Sequence, residues 1–221
     1  MIEIEGIDPE DVMFLPNGIP TPPAASGADV RAELGIAPDA PLIGTVSVLR
    51  PQKALAVLLH GVRILVDEFP ALRVVIAGEG DRRVALEELS EELGLAEHVL
   101  FLGVRTDVPD VLDALDVAVS TSDFEGSPLS VMEFMEAARP IVATRVGGVP
   151  DLIDDGVHGR IVEPQDPAAF AAAVADLLRD PAKAAEMGQR ARERRRAEFD
   201  IDVMVRRLEE LYVRLRGEAS R

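Results

Sequence analysis

The segment EGSPLSVME, residues 125–133, carries the residue types best suited to bind a polar ligand. Ser127 is a favourable N-cap and Pro128 a favourable first helical residue, so the sequence predicts that a helix begins here. The first amides of a helix have no partner within it and can hold an anion. Ser130 and Glu133, three residues apart, share one edge of this helix, where a carboxylate can accept hydrogen bonds from vicinal hydroxyls such as those of a ribose.

Spacing alone does not favour a binding site over a simpler interpretation of Glu125 and Glu133. Two carboxylates at a helix start also occur as solvated groups, because the helix dipole favours acids there. Similarly, a basic surface pair on a loop is an alternative explanation for Lys53 and Arg50, and for Arg50 it is as good as a phosphate-binding role.

The surrounding sequence predicts the elements that position this segment. Short runs rich in Val, Ile and Leu alternate with stretches of helical period, which is typical of an α/β fold with helices on both faces of a parallel sheet. The predicted strands cover residues 42–48, 72–77, 98–102, 117–120, 141–143 and 160–162. The predicted helices cover residues 29–34, 55–68, 82–93, 108–115, 128–138 and 150–153. We therefore expect a doubly wound, Rossmann-like sheet of about six strands, with residues 125–133 at the carboxyl edge, where such sheets bind ligands.

Further helices are predicted after the last strand. Asp166 before Pro167 and Asp180 before Pro181 are helix starts, and a final helix covers 201–216. Residues 1–40 are predicted to be an interdomain linker and lead-in segment, residues 41–200 the Rossmann-like domain, and residues 201–221 a C-terminal helix.

Composition excludes several classes of function. The 40 acidic and 23 basic residues give a formal net charge of -17, which opposes long-range attraction to nucleic acid or anionic lipid. The absence of cysteine excludes disulfides, thiolate catalysis and zinc–thiolate sites. Because no apolar run reaches the roughly 18 residues of a membrane span, and Met1–Glu10 lacks a signal-peptide pattern, we expect a cytoplasmic protein.

The order of motifs along the chain resembles family 4 of the retaining glycosyltransferases, the glycosyl transferases group 1. The family signature is a pair of glutamates separated by seven residues, which Glu125 and Glu133 match. The other matching motifs are Leu15-Pro16-Asn17-Gly18-Ile19, Pro51-Gln52-Lys53, Ala77-Gly78-Glu79-Gly80, Phe101-Leu102-Gly103 and the run from Pro140 to Pro150. The resemblance is to the C-terminal, donor-binding domain of the GT-B architecture, which pairs two Rossmann-like domains.

The resemblance implies a hexosyltransferase-type enzyme that uses a nucleoside diphosphate sugar, a UDP- or GDP-sugar. We expect no metal or other cofactor, because no residues resemble a metal-binding pair of aspartates. By the same resemblance, Glu133 binds the donor ribose and Glu125 contacts the transferred sugar. Lys53, with Arg50, stabilises the charge on the departing diphosphate. The backbone of Phe101 and Leu102 meets the nucleobase. The remaining implied donor contacts are Gly126, Ser127, Pro128, Leu129, Ser130 and Gly78, although Gly78 is also explained as a plain strand-to-helix turn.

The sequence departs from the family pattern in two ways that bear on function. Ser47 and Val48 stand where the family has a glycine and an arginine, which leaves Arg50 as the nearest substitute. The N-terminal, acceptor-binding domain of the family has no counterpart in the sequence. Two functions therefore stay open: a transferase module, or a non-catalytic donor-binding half that needs a separate acceptor domain. A nicotinamide-dependent enzyme is disfavoured because the turn after the first strand lacks glycine.

Four aspartates, Asp107, Asp110, Asp113 and Asp116, recur at helical spacing, for which a solvated helix face is the expected explanation rather than a metal site. The basic run at residues 190–196 is expected to balance nearby acids. We assign no catalytic histidine.

Overall fold

The computed structural model describes residues 12, 13 and 15–218 and contains one six-stranded, entirely parallel sheet with the strand order β3-β2-β1-β4-β5-β6. The strands are β1 (Leu42–Val46), β2 (Arg73–Ala77), β3 (Val99–Gly103), β4 (Val117–Ser120), β5 (Ile141–Thr144) and β6 (Arg160–Val162). The α-helices are α1 (Val30–Glu33), α2 (Leu55–Glu68), α3 (Arg83–Glu92), α4 (Val108–Ala114), α5 (Leu129–Glu136), α6 (Val149–Leu152), α7 (Pro167–Arg179), α8 (Pro181–Glu198) and α9 (Ile201–Glu218). A short 3-10 helix, Pro51–Lys53, joins β1 to α2.

Alternate residues of each strand enter two separate cores, because successive side chains of a strand point to opposite faces. Ile43, Val74 and Ile76 pack with α2, α3 and α7 on one face. Leu42 and Val75 pack with α4, α5 and α6 on the other. The predicted doubly wound, Rossmann-like fold is therefore confirmed, including all six strands and the helices between them.

The strand order places a crevice at the carboxyl ends of β1 and β4. The chain runs outward from β1 through β2 to β3, then returns to place β4 on the opposite side of β1. Helices that leave two neighbouring strands in opposite directions separate at this point and open a crevice, the usual ligand position in such sheets. Residues 125–133 follow β4 and reach this crevice.

Of the three predicted N-cap residues Ser127, Asp166 and Asp180, two are confirmed. The carboxylates of Asp166 and Asp180 accept hydrogen bonds from the amides of Ala169 and Lys183, as N-caps do. The prediction that Ser127 caps the helix at 128–138 was wrong. Pro128 is itself the N-cap, with an extended ψ of 112°, so the helix begins one residue later, at Leu129.

The lead-in segment packs against the end of the sheet domain. Ile19 forms a parallel bridge with Asp200, at the junction of α8 and α9. The fully buried guanidinium of Arg195 donates to the carbonyl of Ile19 and to the hydroxyl of Thr21, and it pairs with Asp200. Residues 1–11 and 14 of the predicted segment 1–40, and residues 219–221 of the predicted final segment, lie outside the described residues.

The four regularly spaced aspartates do not form one solvated face. Asp110 is buried and accepts hydrogen bonds from Ser26 and Gly27, so the prediction was wrong for this residue because the lead-in segment covers it. The other three, Asp107, Asp113 and Asp116, pair with Arg105, Arg139 and Arg31. Within residues 12–13 and 15–218, no group of three or more His, Asp or Glu side chains is arranged to hold a metal ion.

None of the helices in the described part of the chain combines the length and the hydrophobicity of a membrane span.

Candidate functional site

Helix α5 begins beside the crevice, and its first amides have no hydrogen-bond partner among the described residues. Its first backbone hydrogen bond is donated by the Met132 amide to the Pro128 carbonyl at 3.4 Å, so the amides of Leu129 and Ser130 precede the hydrogen-bond ladder. Val131, Phe134 and Met135 are fully buried and fix the helix against the sheet. The start of α5 is therefore a rigid group of amide donors beside the carboxyl edge.

Lys53 and Glu125, 72 residues apart in sequence, meet in this crevice. The Lys53 ammonium lies 2.7 Å from Oε1 of Glu125, and the side chains are 20% and 10% exposed. The Ser122 hydroxyl donates to the same carboxylate oxygen at 2.6 Å. Lys53 also lines a small hollow with Ser47, Ser122 and Ser130, so the lysine lies near the start of α5.

Hydrogen bonds from the neighbouring strands fix the loops that carry this pair. The Thr121 hydroxyl donates to the Lys53 carbonyl at 3.1 Å, and the Thr144 hydroxyl donates to the Ser122 carbonyl at 2.5 Å. The Asp123 amide donates to the Gln52 carbonyl at 2.8 Å, which joins the two loops directly. The ion pair is therefore set by the backbone as well as by the side chains.

Two glycines after β5 support the loop that carries Glu125. Gly147 has a φ of 49°, and a Cβ at this position would lie 1.5 Å from the Glu125 carbonyl oxygen. The Gly148 amide donates to the Gly126 carbonyl at 2.9 Å. Only glycine permits both the left-handed conformation and this close backbone approach without strain.

Glu133 lies one turn further along α5 and is half-buried. Burial raises the pKa of its carboxyl group above the ordinary value, because desolvation disfavours the charged form. The carboxylate has no hydrogen-bond or ion-pair partner in the portion of the chain that the structure describes. It borders a cavity of about 440 Å³ that is also lined by Pro22, Val108, Leu112 and Arg196.

Arg50 lies apart from the Lys53–Glu125 pair. Its side chain is exposed and lines a groove between α2 and α3 together with Arg82, whereas Lys53 lines the hollow at the start of α5. Among the described residues the Arg50 guanidinium has no ion-pair partner. Of the two cations expected near the diphosphate, the structure brings only Lys53 to Glu125.

The ends of β2 and β3 form the far wall of the carboxyl edge. The guanidinium of Arg83 donates to the Phe101 carbonyl at 3.3 Å and lies 5.1 Å from the centre of the Phe101 ring. The Gly78 amide donates to the Gly103 carbonyl at 2.7 Å, and a Cβ on Gly78 would lie 1.8 Å from the Ser47 carbonyl oxygen. The Phe101 carbonyl and the Gly78 amide are thus already hydrogen-bonded within the protein.

Sequence reasoning missed several residues that shape the site. Ser122, Thr121 and Thr144 hold Glu125 and its loop, but single hydroxyl residues at strand ends carry no distinctive sequence signal. The Ser127 hydroxyl, expected to cap α5, is instead buried without a hydrogen-bond partner among the described residues.

Comparison with known proteins identifies the family of this chain. The model of the family "Glycosyl transferases group 1" matches residues 28–194, a span that includes the sheet, Lys53, Glu125 and Glu133. The chain belongs to this family. The D-inositol 3-phosphate glycosyltransferase of Corynebacterium urealyticum is 34% identical over 193 residues, which cover 83% of this chain and 45% of that protein. This group 1 chain thus spans less than half of that curated relative.

Solved glycosyltransferase structures share the fold of this group 1 chain. Sucrose-phosphate synthase from Thermosynechococcus elongatus superposes with a TM-score of 0.83 at 26% identity, covering 93% of this chain and 53% of that one. Anabaena HepE, solved in complex with UDP, superposes with a TM-score of 0.78 at 26% identity, and the match covers 83% of this chain and 51% of HepE. HepE has also been solved with UDP-glucose.

Proposed function

We propose that this chain is the donor-binding module of a retaining family 4 glycosyltransferase that transfers a hexosyl group from a UDP- or GDP-sugar. The observation that carries the proposal is the half-buried carboxylate of Glu133, which has no partner among the described residues and lies one turn from the first amides of α5. A carboxylate that loses hydration without gaining a protein partner is costly. Vicinal ribose hydroxyls would supply the missing donors.

The remaining groups suit the diphosphate and the sugar. The amides of Leu129 and Ser130 offer donors to an anionic phosphate at the helix start. Lys53 supplies the positive charge in the same hollow. As the bond between the anomeric carbon and the phosphate oxygen breaks, negative charge grows on the diphosphate, so these groups stabilise the transition state more than the ground state.

The donor complexes of HepE support a nucleoside diphosphate or its sugar conjugate as the ligand class. The sequence motifs support the same class, although they leave the base and the sugar open. We therefore propose that the donor needs neither a metal nor another cofactor, and that the acceptor binds to a separate N-terminal domain.

Titration calorimetry tests the donor site directly. The purified chain is titrated with UDP, GDP, UDP-glucose and GDP-glucose, with uridine as a control that lacks the diphosphate. We expect at least one nucleotide to bind and uridine to bind much more weakly, because Lys53 and the α5 amides require an anion. A folded chain that binds none of the four nucleotides contradicts the proposal.

A second candidate, which the sequence motifs leave open, is a donor-binding half that is not catalytic by itself and needs a separate acceptor domain. Sugar transfer is assayed with and without an added N-terminal domain of a group 1 relative. Turnover by the chain alone would rule out this second candidate, whereas donor binding without turnover supports it.

A further inference from the structure

Two exposed arginines line one groove at the carboxyl edge without an acid to balance them. Arg50 follows β1, Arg82 is the N-cap of α3, and the groove between α2 and α3 has a volume of about 350 Å³. Neither guanidinium has an ion-pair partner among the described residues, although the chain carries 40 acidic residues. Asp123 is the only acid among the described residues that line the groove, and its carboxylate accepts a hydrogen bond from Gln165. The groove therefore carries uncompensated positive charge.

Backbone contacts join the two loops that carry these arginines. The Leu49 amide donates to the Glu79 carbonyl at 2.9 Å, and the Arg82 amide donates to the Leu49 carbonyl at 3.0 Å. A Cβ on Gly80 would lie 2.4 Å from the same Leu49 oxygen, so the loops pack more closely than a side chain at this position would allow. Like charges held in one groove repel each other, and an anion that contacts both relieves the repulsion. The groove is therefore a preformed site for an anion.

The groove adjoins the proposed donor site on the side away from Glu133. Leu55 lines both the groove and the small hollow that contains Lys53. The groove lies on the face of the sheet that α2, α3 and α7 cover, whereas Glu133 belongs to α5 on the opposite face. A donor that extends from Glu133 to Lys53 therefore leaves the groove free for a second molecule.

We propose that this groove binds a phosphate group of the acceptor, an inference that rests on the proposed donor-binding function. The planar guanidinium of arginine matches the geometry of a phosphate, and two arginines balance the two negative charges of a phosphate monoester. A carboxylate brings only one charge and leaves the repulsion partly uncompensated. The groove thus holds the phosphate beside the donor, while the rest of the acceptor contacts the separate N-terminal domain.

Titration with inorganic phosphate tests the groove. The isotope-labelled chain is first saturated with UDP, or with GDP if that nucleotide binds better, so that the phosphate contacts of the donor site are filled. Inorganic phosphate is then added at constant ionic strength, and NMR follows the guanidinium signals of the arginines. We expect phosphate to shift the signals of Arg50 and Arg82, and acetate, a singly charged control, to bind much more weakly.

Two variants and a matched control separate the groove from the general charge of the chain. Arg50→Met and Arg82→Met should each weaken phosphate binding by roughly tenfold or more, the effect of losing a hydrogen bond between charged groups. Arg63→Met removes the same charge from an exposed arginine of α2 that pairs with Asp67 outside the groove. It should change the affinity for phosphate by less than about twofold. Thermal melting confirms that each variant is folded.

The outcomes distinguish this inference from the function on which it rests. If UDP or GDP binds but phosphate does not, or if phosphate binds equally to all three variants, the donor site stands and the acceptor groove is overturned. If Arg82→Met weakens UDP binding as strongly as phosphate binding, the groove holds part of the donor and the assignment to the acceptor is wrong. If neither UDP nor GDP binds, the donor function falls, and the acceptor assignment falls with it.

Discussion

At the scale of single residues, the carboxyl edge of the sheet contains one ion pair, Lys53 with Glu125, inside the proposed binding site. Lys53 and Glu125 are close enough to neutralise each other, and both are largely withdrawn from solvent. The proposed donor needs Lys53 for its diphosphate and Glu133 for its ribose. The contribution of each side chain can be measured separately, because they lie on different elements.

Replacement of Lys53 should weaken nucleotide binding. Lys53→Met removes a charged donor while it keeps most of the aliphatic side chain, and it leaves Glu125 without its cation. We expect UDP affinity to fall by roughly tenfold to a hundredfold, since a hydrogen bond to a charged group contributes about 1.5–3 kcal/mol. The control is Lys183→Met, at an exposed lysine of α8. Equal losses of UDP affinity in both variants would show that UDP binding depends only on the overall charge of the chain.

Glu133 should make both stability and binding depend on pH. Its folded-state pKa is raised by burial, so the stability it contributes is fully present below the unfolded-state pKa and is lost as the pH rises through the folded-state value. Glu133→Gln should therefore raise the melting temperature at pH 7 more than at pH 4. Donor binding by the wild type should weaken as the pH falls through the raised pKa, because the ionised carboxylate accepts the ribose hydroxyls.

Melting curves and calorimetry at a series of pH values check these two effects. Glu97→Gln, at an exposed acid, serves as the control. A stability difference for Glu133→Gln that stays constant between pH 4 and pH 7 would contradict the assignment of the effect to ionisation.

At the scale of elements, the loop after β5 positions the loop after β4. The backbone of Gly147 and Gly148 lies directly against that of Glu125 and Gly126. Helix α5 then fixes the opposite end of the same segment through its buried face. The segment 125–133 is thus held by a neighbouring loop at its start and by the core at its end, which is the support that a preorganised site requires.

Insertion of a methyl group at Gly147 should disturb this support. Gly147→Ala brings a Cβ into the Glu125 carbonyl and places alanine at a φ of 49°. We expect a loss of roughly 2–4 kcal/mol in the free energy of unfolding, from the backbone strain together with the steric clash, and weaker nucleotide binding. Urea denaturation measures the first effect and calorimetry the second.

Gly156→Ala separates strain from contact. Gly156 has a φ of 75°, but no atom outside its immediate neighbours lies within 4 Å of the point that an added Cβ would occupy. In this variant the free energy of unfolding should fall by only about 1–2 kcal/mol, and nucleotide binding should be unchanged. If both variants lost a similar amount of unfolding free energy, the steric contact between residue 147 and the Glu125 carbonyl would not contribute to the destabilisation.

At the scale of the whole molecule, Arg195 joins the lead-in segment to the sheet domain and the final helix. Besides Ile19, Thr21 and Asp200, it contacts Glu136 of α5, at 3.2 Å, and Glu136 also pairs with Arg196. The basic run at 190–196 thus does balance acids, as expected, but Arg195 does so from a fully buried position. Helix α5, the lead-in segment and the residue before α9 thus meet at this one side chain.

Removal of Arg195 should therefore destabilise the chain strongly. Arg195→Met leaves Glu136 and Asp200 without this partner, and breaking a buried ion pair from one side costs about 3–5 kcal/mol. Arg190→Met, at an exposed arginine of the same helix paired with Glu186, should change stability by less than about 0.5 kcal/mol. Chemical denaturation compares the two, and equal effects would contradict a structural role specific to Arg195.

The sequence by itself determined the sheet, its helices and the position of the 125–133 segment. Hydrophobic period and capping depend on residues within a turn or two of one another, so Asp166, Asp180 and the alternating strands could be predicted locally. The predicted strand before residues 125–133 and the predicted helix after them also placed Glu125 and Glu133 at the carboxyl edge. These features need no knowledge of which distant residues come into contact.

Only the tertiary structure decided how the site is assembled. The contact between Lys53 and Glu125, the separate position of Arg50, the buried hydroxyl of Ser127 and the burial of Asp110 all depend on loops that meet across the fold. Such contacts follow from strand order, loop path and side-chain rotamers together, and no local pattern encodes that combination. The sequence thus identified the groups of the proposed donor site, whereas the folded chain decided that Glu125 and Lys53 form an ion pair with each other.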